Sequence, residues 1–572
     1  MSTPAAPPAS PASPSAPPVA PVPPPPAPPA TLADVDWASK NYLVVDDFIG
    51  IRQLLRESLR NLGAKNIDQA SSGGEAMGML SRVRYDVVLC DYNLGEGKNG
   101  QQVLEEARVN NLLLPSSVWL MVSAEKSVES VIGAAEHQPD AYLIKPITEG
   151  VLLTRLNRVW HKKQVFRMID LAYADKDYLG AAALCDERIE VDKVHQIELL
   201  RMKAKLMLKS GQPDKARLAY ERVLAEREYQ WARTGLAKIR MANGEYEQAR
   251  QIFQAVIAEN RYYIDAYDQL AAAYQSMGQF DDACRILERA AKLSPNAVVR
   301  QRSLGQLCLK LGNLPMAEKA FRKSIAIGEY SVMKSADAYL GLARTCGQKN
   351  DVKEALALLQ MVQKEFVGDD LIGLRAKITE GLVYHESGDY RRARKAGDEL
   401  EALLNADPAR PAVPICLDLA TLLLAVGVKD APVELLCYVA RNNHDNNVLL
   451  DEVQRIFDKA RMAEEGAALI GDAKKLASDL MNQGVLLWRS GKLQEAIDWM
   501  RQARQRLPNN VRILFNAAQI QISHMQQSGH DAALAAETAE VLLRIERIQP
   551  GQQRFAQLME QLARLVPATG AP

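Results

Sequence analysis

The chain has 572 residues, 48% apolar and 24% charged, which is long enough for several domains and ordinary for globular protein. Its 70 lysines and arginines balance its 70 aspartates and glutamates, so no overall basic field favours nucleic acid or an anionic membrane. No apolar run approaches the roughly 20 residues of a spanning helix. The opening lacks a secretory leader and the seven cysteines form no CxxC pair, which predicts reduced thiols and a cytoplasmic location.

The first 30 residues, "MSTPAAPPASPASPSAPPVAPVPPPPAPPA", carry half of the 28 prolines. Proline removes backbone donors and favours extended polyproline II, so residues 1–38 read as a disordered Pro/Ala-rich tail that acts as a spacer.

From residue 39 to 163 short apolar runs alternate with helical stretches. "NYLVV" (41–45), "YDVVL" (85–89), "SVWLMV" (117–122) and "AYLI" (141–144) are strand-like, with a weaker candidate at "KNIDQA" (65–70). Between them run amphipathic segments such as "GIRQLLRESLRNLG", apolar at Ile51, Leu54, Leu55, Leu59 and Leu62. This alternation predicts an α/β doubly wound, five-stranded parallel sheet covered by helices on both faces. In such a sheet the ligand site lies at the carboxyl ends of the strands.

The apolar runs end on polar chemistry: Asp46 and Asp47, then Asp91, then Ser123, then Lys145 followed by Pro146. Three carboxylates at one sheet edge repel one another unless a cation neutralises them. A hard, oxygen-seeking ion such as Mg²⁺ does this and keeps positions that phosphate oxygens can fill. A lysine and a hydroxyl opposite the metal complete a cradle for a phosphoryl group. Asp91, which closes "VVLCD", therefore reads as a nucleophile.

With these residues in place the segment closely resembles the receiver domain of two-component response regulators. The resemblance implies that Asp91 is the phosphoacceptor. It implies that Asp46, Asp47, Asp91 and the backbone carbonyl of Asn93 hold Mg²⁺. Ser123 matches the switch hydroxyl, Lys145 the lysine of the family, and Tyr142 the aromatic switch. Lys145–Pro146 is a bond that the family usually holds cis. One departure stands out: receivers commonly have proline four residues after the phosphoacceptor, where this chain has Gly95, and "GEGKNG" is one residue longer than the usual loop.

Beyond residue 163 the sequence is helical and repetitive. "SGQPDKARLAYERVL", "NGEYEQARQIFQAVI", "MGQFDDACRILERAA" and "LGNLPMAEKAFRKSI" place Gly211, Gly244, Gly278 and Gly312 at spacings of 33, 34 and 34. Three further copies turn on Asn350, Gly388 and Gly491. Five residues after each loop residue stands alanine (216, 249, 283, 317, 355, 393, 496), and seven before it a small residue (Ala204, Ala237, Ala271, Gly305, Ala343, Gly381, Gly484). Small residues at these places let two antiparallel helices approach closely, and glycine accepts the left-handed turn between them. Period and pattern resemble tetratricopeptide repeats, implying an all-α superhelical solenoid over 164–445 and again over 478–566. "LDLATLLLAVGVKDAPVELLCYVARNN" reads as a degenerate copy, and residues 446–477 as an irregular helical connector.

The functional expectation is a response regulator that accepts a phosphoryl group on Asp91 from a sensor histidine kinase or phosphotransfer protein. It would then alter how its repeat array binds a protein partner. The chain carries no other enzymatic motif: no HExxH, GxSxG, Walker or dinucleotide signature is present. Its only expected chemistry is self-phosphorylation and autodephosphorylation at Asp91. The alternatives are a phosphorylation-independent scaffold, a phosphate sink, and a DNA-binding regulator, the last having neither a helix-turn-helix nor a basic stripe to support it.

Overall fold

The structure is a computed structural model that describes residues 35–124, 139–406, 410–550 and 552–565. Five parallel strands, β1 (Asn41–Val45), β2 (Asn66–Ala70), β3 (Val87–Asp91), β4 (Val118–Ser123) and β5 (Ala141–Ile144), form one sheet in the order β2-β1-β3-β4-β5. The period-two alternation of the strands sends Tyr42, Val44, Val87, Leu89, Leu120 and Val122 to one face and Leu43, Val45, Val88, Cys90, Trp119 and Met121 to the other. Because both faces are buried along β1, β3 and β4, these strands read as near-unbroken apolar runs, whereas the edge strand β2, NIDQA, is largely exposed and polar.

Among the described residues three helices follow their strands, α1 (Ile49–Asn61), α2 (Gly73–Leu80) and α3 (Gly100–Val109), and a further one, α4 (Glu149–Ala174), closes the domain. Leu55 and Leu59 of α1 join Leu152, Leu156, Val159 and Trp160 of α4 on the first face; α2 and α3 cover the second. Trp37, ahead of β1, packs against Trp160 with ring centroids 5.2 Å apart and the rings tilted by 59°.

The helix α4 is 26 residues long and serves two cores. Its first half packs on the sheet, while Phe166 and Ile169 in its second half pack with Ala181, Ala182 and Cys185 of the first helical hairpin. From Tyr178 to Leu565, twenty-one more helices follow among the described residues.

The repeat residues behave as the spacing predicts. The loop glycines 211, 244, 278, 312, 388 and 491 hold φ between 72° and 82°, and Asn350 takes the same conformation at 65°. All seven alanines are fully buried. The reason for glycine at position 305 is steric: a Cβ there would lie 2.7 Å from the Phe321 ring, and one at Gly341 would lie 2.3 Å from the same ring. Phe321 is thus clasped between two glycines of neighbouring first helices.

The degenerate copy turns on Gly427 (φ 87°), with Ala420 buried seven residues before it. Residues 446–477 fall in the helix Asn447–Lys459 and the first half of Ala463–Arg489. Their turn is made by Arg461 at φ 61°, and Gly466 stands where the other copies have alanine, its would-be Cβ 2.7 Å from Phe457. The period is lost here because the 27-residue helix Ala463–Arg489 ends one hairpin and begins the next. The array also curls back on itself, with Lys310 donating to Glu452 at 2.6 Å.

Candidate functional site

At the carboxyl edge of the sheet the order reverses between β1 and β3, and the acidic residues gather there. Asp46 follows β1 directly and is fully buried; Asp91 is the last residue of β3 and 6% exposed; Asp47 is open to solvent. One oxygen from each of the three carboxylates falls within 4.8 Å of the others.

Lys145, just past β5, reaches across the edge. Its Nζ donates to Asp46 Oδ2 at 2.6 Å and to Asp91 Oδ2 at 2.7 Å. The peptide bond from Lys145 to Pro146 is cis, and Lys145 N donates to Ser123 O at 2.8 Å. Ser123 ends β4 one residue beyond Val122, the register partner of Asp91, and is buried. Tyr142 is half-buried on β5 and packs on the sheet face shared by Met121, Trp119 and Tyr92. Asn93 lies in the exposed loop after Asp91, its Oδ1 accepting from Gly95 N at 3.4 Å. All the residues singled out by the sequence, Asp46, Asp47, Asp91, Asn93, Ser123, Tyr142 and Lys145, therefore lie on or beside one edge of the sheet.

Burial pushes the Asp91 carboxyl above the usual carboxylate range; Lys145 pulls it down and Asp46 pushes it up. Burial draws the Lys145 ammonium down, but its bonds to Asp46 and Asp91 outweigh that and hold it above its ordinary value. The neighbouring Cys90 thiol is raised well above the thiol range by burial and by the same two carboxylates, which disfavours its thiolate. Hard carboxylate oxygens from three side chains, gathered within reach of one ion, suit a divalent cation such as Mg²⁺.

Two positioning residues escaped the sequence reading. Arg52, on the first turn of α1, donates Nη1 to the carbonyls of Asp46 at 2.6 Å and Asp47 at 3.1 Å, fixing the acidic turn. Gly100, at the start of α3, donates its N–H to Tyr92 O at 2.9 Å, and a Cβ there would sit 2.0 Å from the Asp91 carbonyl oxygen. The glycine at the end of "GEGKNG" thus lets α3 begin against the phosphoacceptor candidate. The longer loop is accommodated by Gly95 and Gly97 at φ 75° and 93°.

Residues 42–157 match the family model of the response regulator receiver domain. Residues 207–274, 262–329 and 477–511 match models of the tetratricopeptide repeat. Chemotaxis protein CheY-3 of Vibrio cholerae is 33% identical over 120 residues, covering 21% of this chain and 91% of that protein. Chemotaxis protein CheY of Pseudomonas aeruginosa is 32% identical over 120 residues, covering 21% and 95% respectively. Among solved structures, chemotaxis response regulator CheY4 of Vibrio cholerae aligns at 28% identity over 21% of this chain and 98% of that one, with a TM-score of 0.20. Among the described residues no helix is long and apolar enough to cross a membrane.

Proposed function

Because the chain belongs, through residues 42–157, to the response regulator receiver family and joins that domain to tetratricopeptide repeats, we propose that it is a phosphorylation switch whose output is a change in protein binding by the array. A sensor histidine kinase or a phosphotransfer protein is the donor. One Asp91 carboxylate oxygen attacks the phosphorus of a phosphohistidine; the P–N bond breaks, the histidine nitrogen keeps the electron pair, and an acyl phosphate remains on Asp91.

The observation that carries this reading is the lysine bridge, Lys145 Nζ between Asp46 and Asp91 at 2.6 and 2.7 Å. It places a cation where negative charge arrives, and it gives that cation an alternative partner in the phosphoryl oxygens. Asp46, Asp47, Asp91 and the carbonyl of Asn93 would hold Mg²⁺, which when bound supplies further charge neutralisation to the phosphoryl oxygens. Lys145 turning toward the new charge loosens its hold on Asp46, Ser123 is drawn toward the phosphoryl group, and Tyr142 moves further into the sheet face. The receiver–array link is covalent and helical: α4 carries Leu156 and Trp160 on the sheet side and Phe166 and Ile169 in the first hairpin. A tilt of α4 against the sheet is thereby a tilt of the array.

The test is migration on a phosphate-affinity gel after incubation with acetyl phosphate, with and without Mg²⁺. A Mg²⁺-dependent shifted band in the intact protein, absent from Asp91→Asn, is the expected result. No band after rapid quenching, with the fold intact, would leave a phosphorylation-independent scaffold.

A further inference from the structure

The receiver touches the array a second time, through α3. Gln102 of α3 donates Nε2 to the carbonyl of Ile327 at 2.9 Å, and Ser331 donates its hydroxyl to Glu105 Oε2 at 2.7 Å. Ile327 is the last residue but one of the helix Leu314–Gly328, and Ser331 sits in the turn that follows, where it also accepts from Met333 N at 3.0 Å. The chain therefore leaves the receiver through α4, runs through several hairpins, and returns to it.

Gln102 is also part of the α3 cap. Its Oε1 accepts from Asn99 N at 2.9 Å while Asn99 Oδ1 accepts from Gln102 N at 2.9 Å, a reciprocal capping box. Asn99 is the last residue of the loop that starts at Asp91, and Gly100 beside it is pressed on the Asp91 carbonyl. One planar amide thus holds the end of the Asp91 loop with its oxygen and the array with its nitrogen. A displacement of Asn99 that drags Oε1 rotates the whole amide and spoils the bond to Ile327, since hydrogen bonds weaken steeply with misalignment.

Beside these bonds lies a cleft of about 650 Å³ between receiver and array. Asn99, Gln101 and Glu105 belong to its receiver wall, and its other wall includes Lys238, Tyr263 and Arg300, the last two at the starts of the helices Ile264–Ser276 and Val298–Lys310. The Gln102–Ile327 and Ser331–Glu105 bonds are both polar, and an exchange of such bonds for bonds to water costs little. That suits a contact made to open.

We propose that Gln102, seconded by the Glu105–Ser331 bond, is a latch by which residues 327–333 grip α3, and that charge added at Asp91 releases it and opens the cleft. The release rests on the phosphoacceptor reading above; the latch itself does not.

The experiment is hydrogen exchange on the full chain. In Gln102→Ala/Ser331→Ala the amides of residues 328–335 other than Met333, whose N–H loses its Ser331 acceptor directly, exchange roughly tenfold faster, the worth of one hydrogen bond, while those of β1 and β3 keep their rates. Ser331→Ala alone, which spares the α3 cap, raises exchange in the same segment by less. Unchanged exchange there in both variants overturns the latch. In the wild-type protein, Mg²⁺ with beryllofluoride, a phosphoryl mimic, slows exchange over residues 91–99 and speeds it over 328–335. Slowing at 91–99 without the second change overturns the coupling and leaves the phosphoacceptor reading intact. No change at 91–99 overturns that reading and the coupling together, and the latch is then decided by the variants alone.

Discussion

At the receiver's sheet edge two carboxylates, Asp46 and Asp91, are buried around one lysine, whereas the array buries alanine at the same place in hairpin after hairpin, from Ala216 to Ala496. The first arrangement is electrostatically poised: burial opposes the charge on Asp91, and Lys145 offsets it. The second is sterically fixed, because a hairpin whose helices meet at alanine and glycine has one spacing and no alternative. The proposed switch would use both, an edge whose bonds answer to charge and a body stiff enough to carry the change away.

The comparison is broken hardest by removing a rigid part of the array. Phe321→Ala empties the space between Gly305 and Gly341 and costs about 4 kcal/mol, read as a lower urea midpoint for the array transition with the receiver transition unmoved. Loss of both transitions together would show that the two bodies fold as one.

The receiver answers to charge in the same way. Lys145→Met leaves two buried carboxylates uncompensated and destabilises the receiver by about 3 kcal/mol near neutral pH. The sign of its pH dependence follows from Asp91, whose folded value lies above its usual 3.8: stability is fully present below that usual value and is lost as pH rises through the folded one. Without the lysine this loss steepens, so the deficit of the variant grows from pH 4 to pH 7 in thermal melts. A deficit independent of pH would mean that packing, not charge, governs the edge.

The smallest effect sharpens the reading of the irregular stretch. Arg461→Gly relieves a left-handed backbone that a side chain resists, and raises stability by about 1 kcal/mol. The gain appears in the melting temperature of the array. A loss instead would show that the Arg461 side chain contributes more than its backbone costs.

Sequence alone determined the parts that local periodicity encodes. Strand runs, the strand-end order Asp46, Asp47, Asp91, Ser123, Lys145, and the glycine-to-alanine spacing all follow from which residues a pleated strand or a close helix pair tolerates, and each lies within a few neighbours along the chain. Tertiary structure alone decided the rest. That Arg461 turns a hairpin is invisible because an arginine signals no left-handed turn, and the pattern is broken where one helix, Ala463–Arg489, is shared between two hairpins. That Arg52 braces the acidic turn and Gly100 admits α3 depends on which backbone atoms the fold brings against them. Gln102 meets Ile327 across 225 residues of sequence, and no local pattern encodes such a contact: its existence depends on the accumulated rotation of the hairpins between them, a sum of small angles that only the folded array performs.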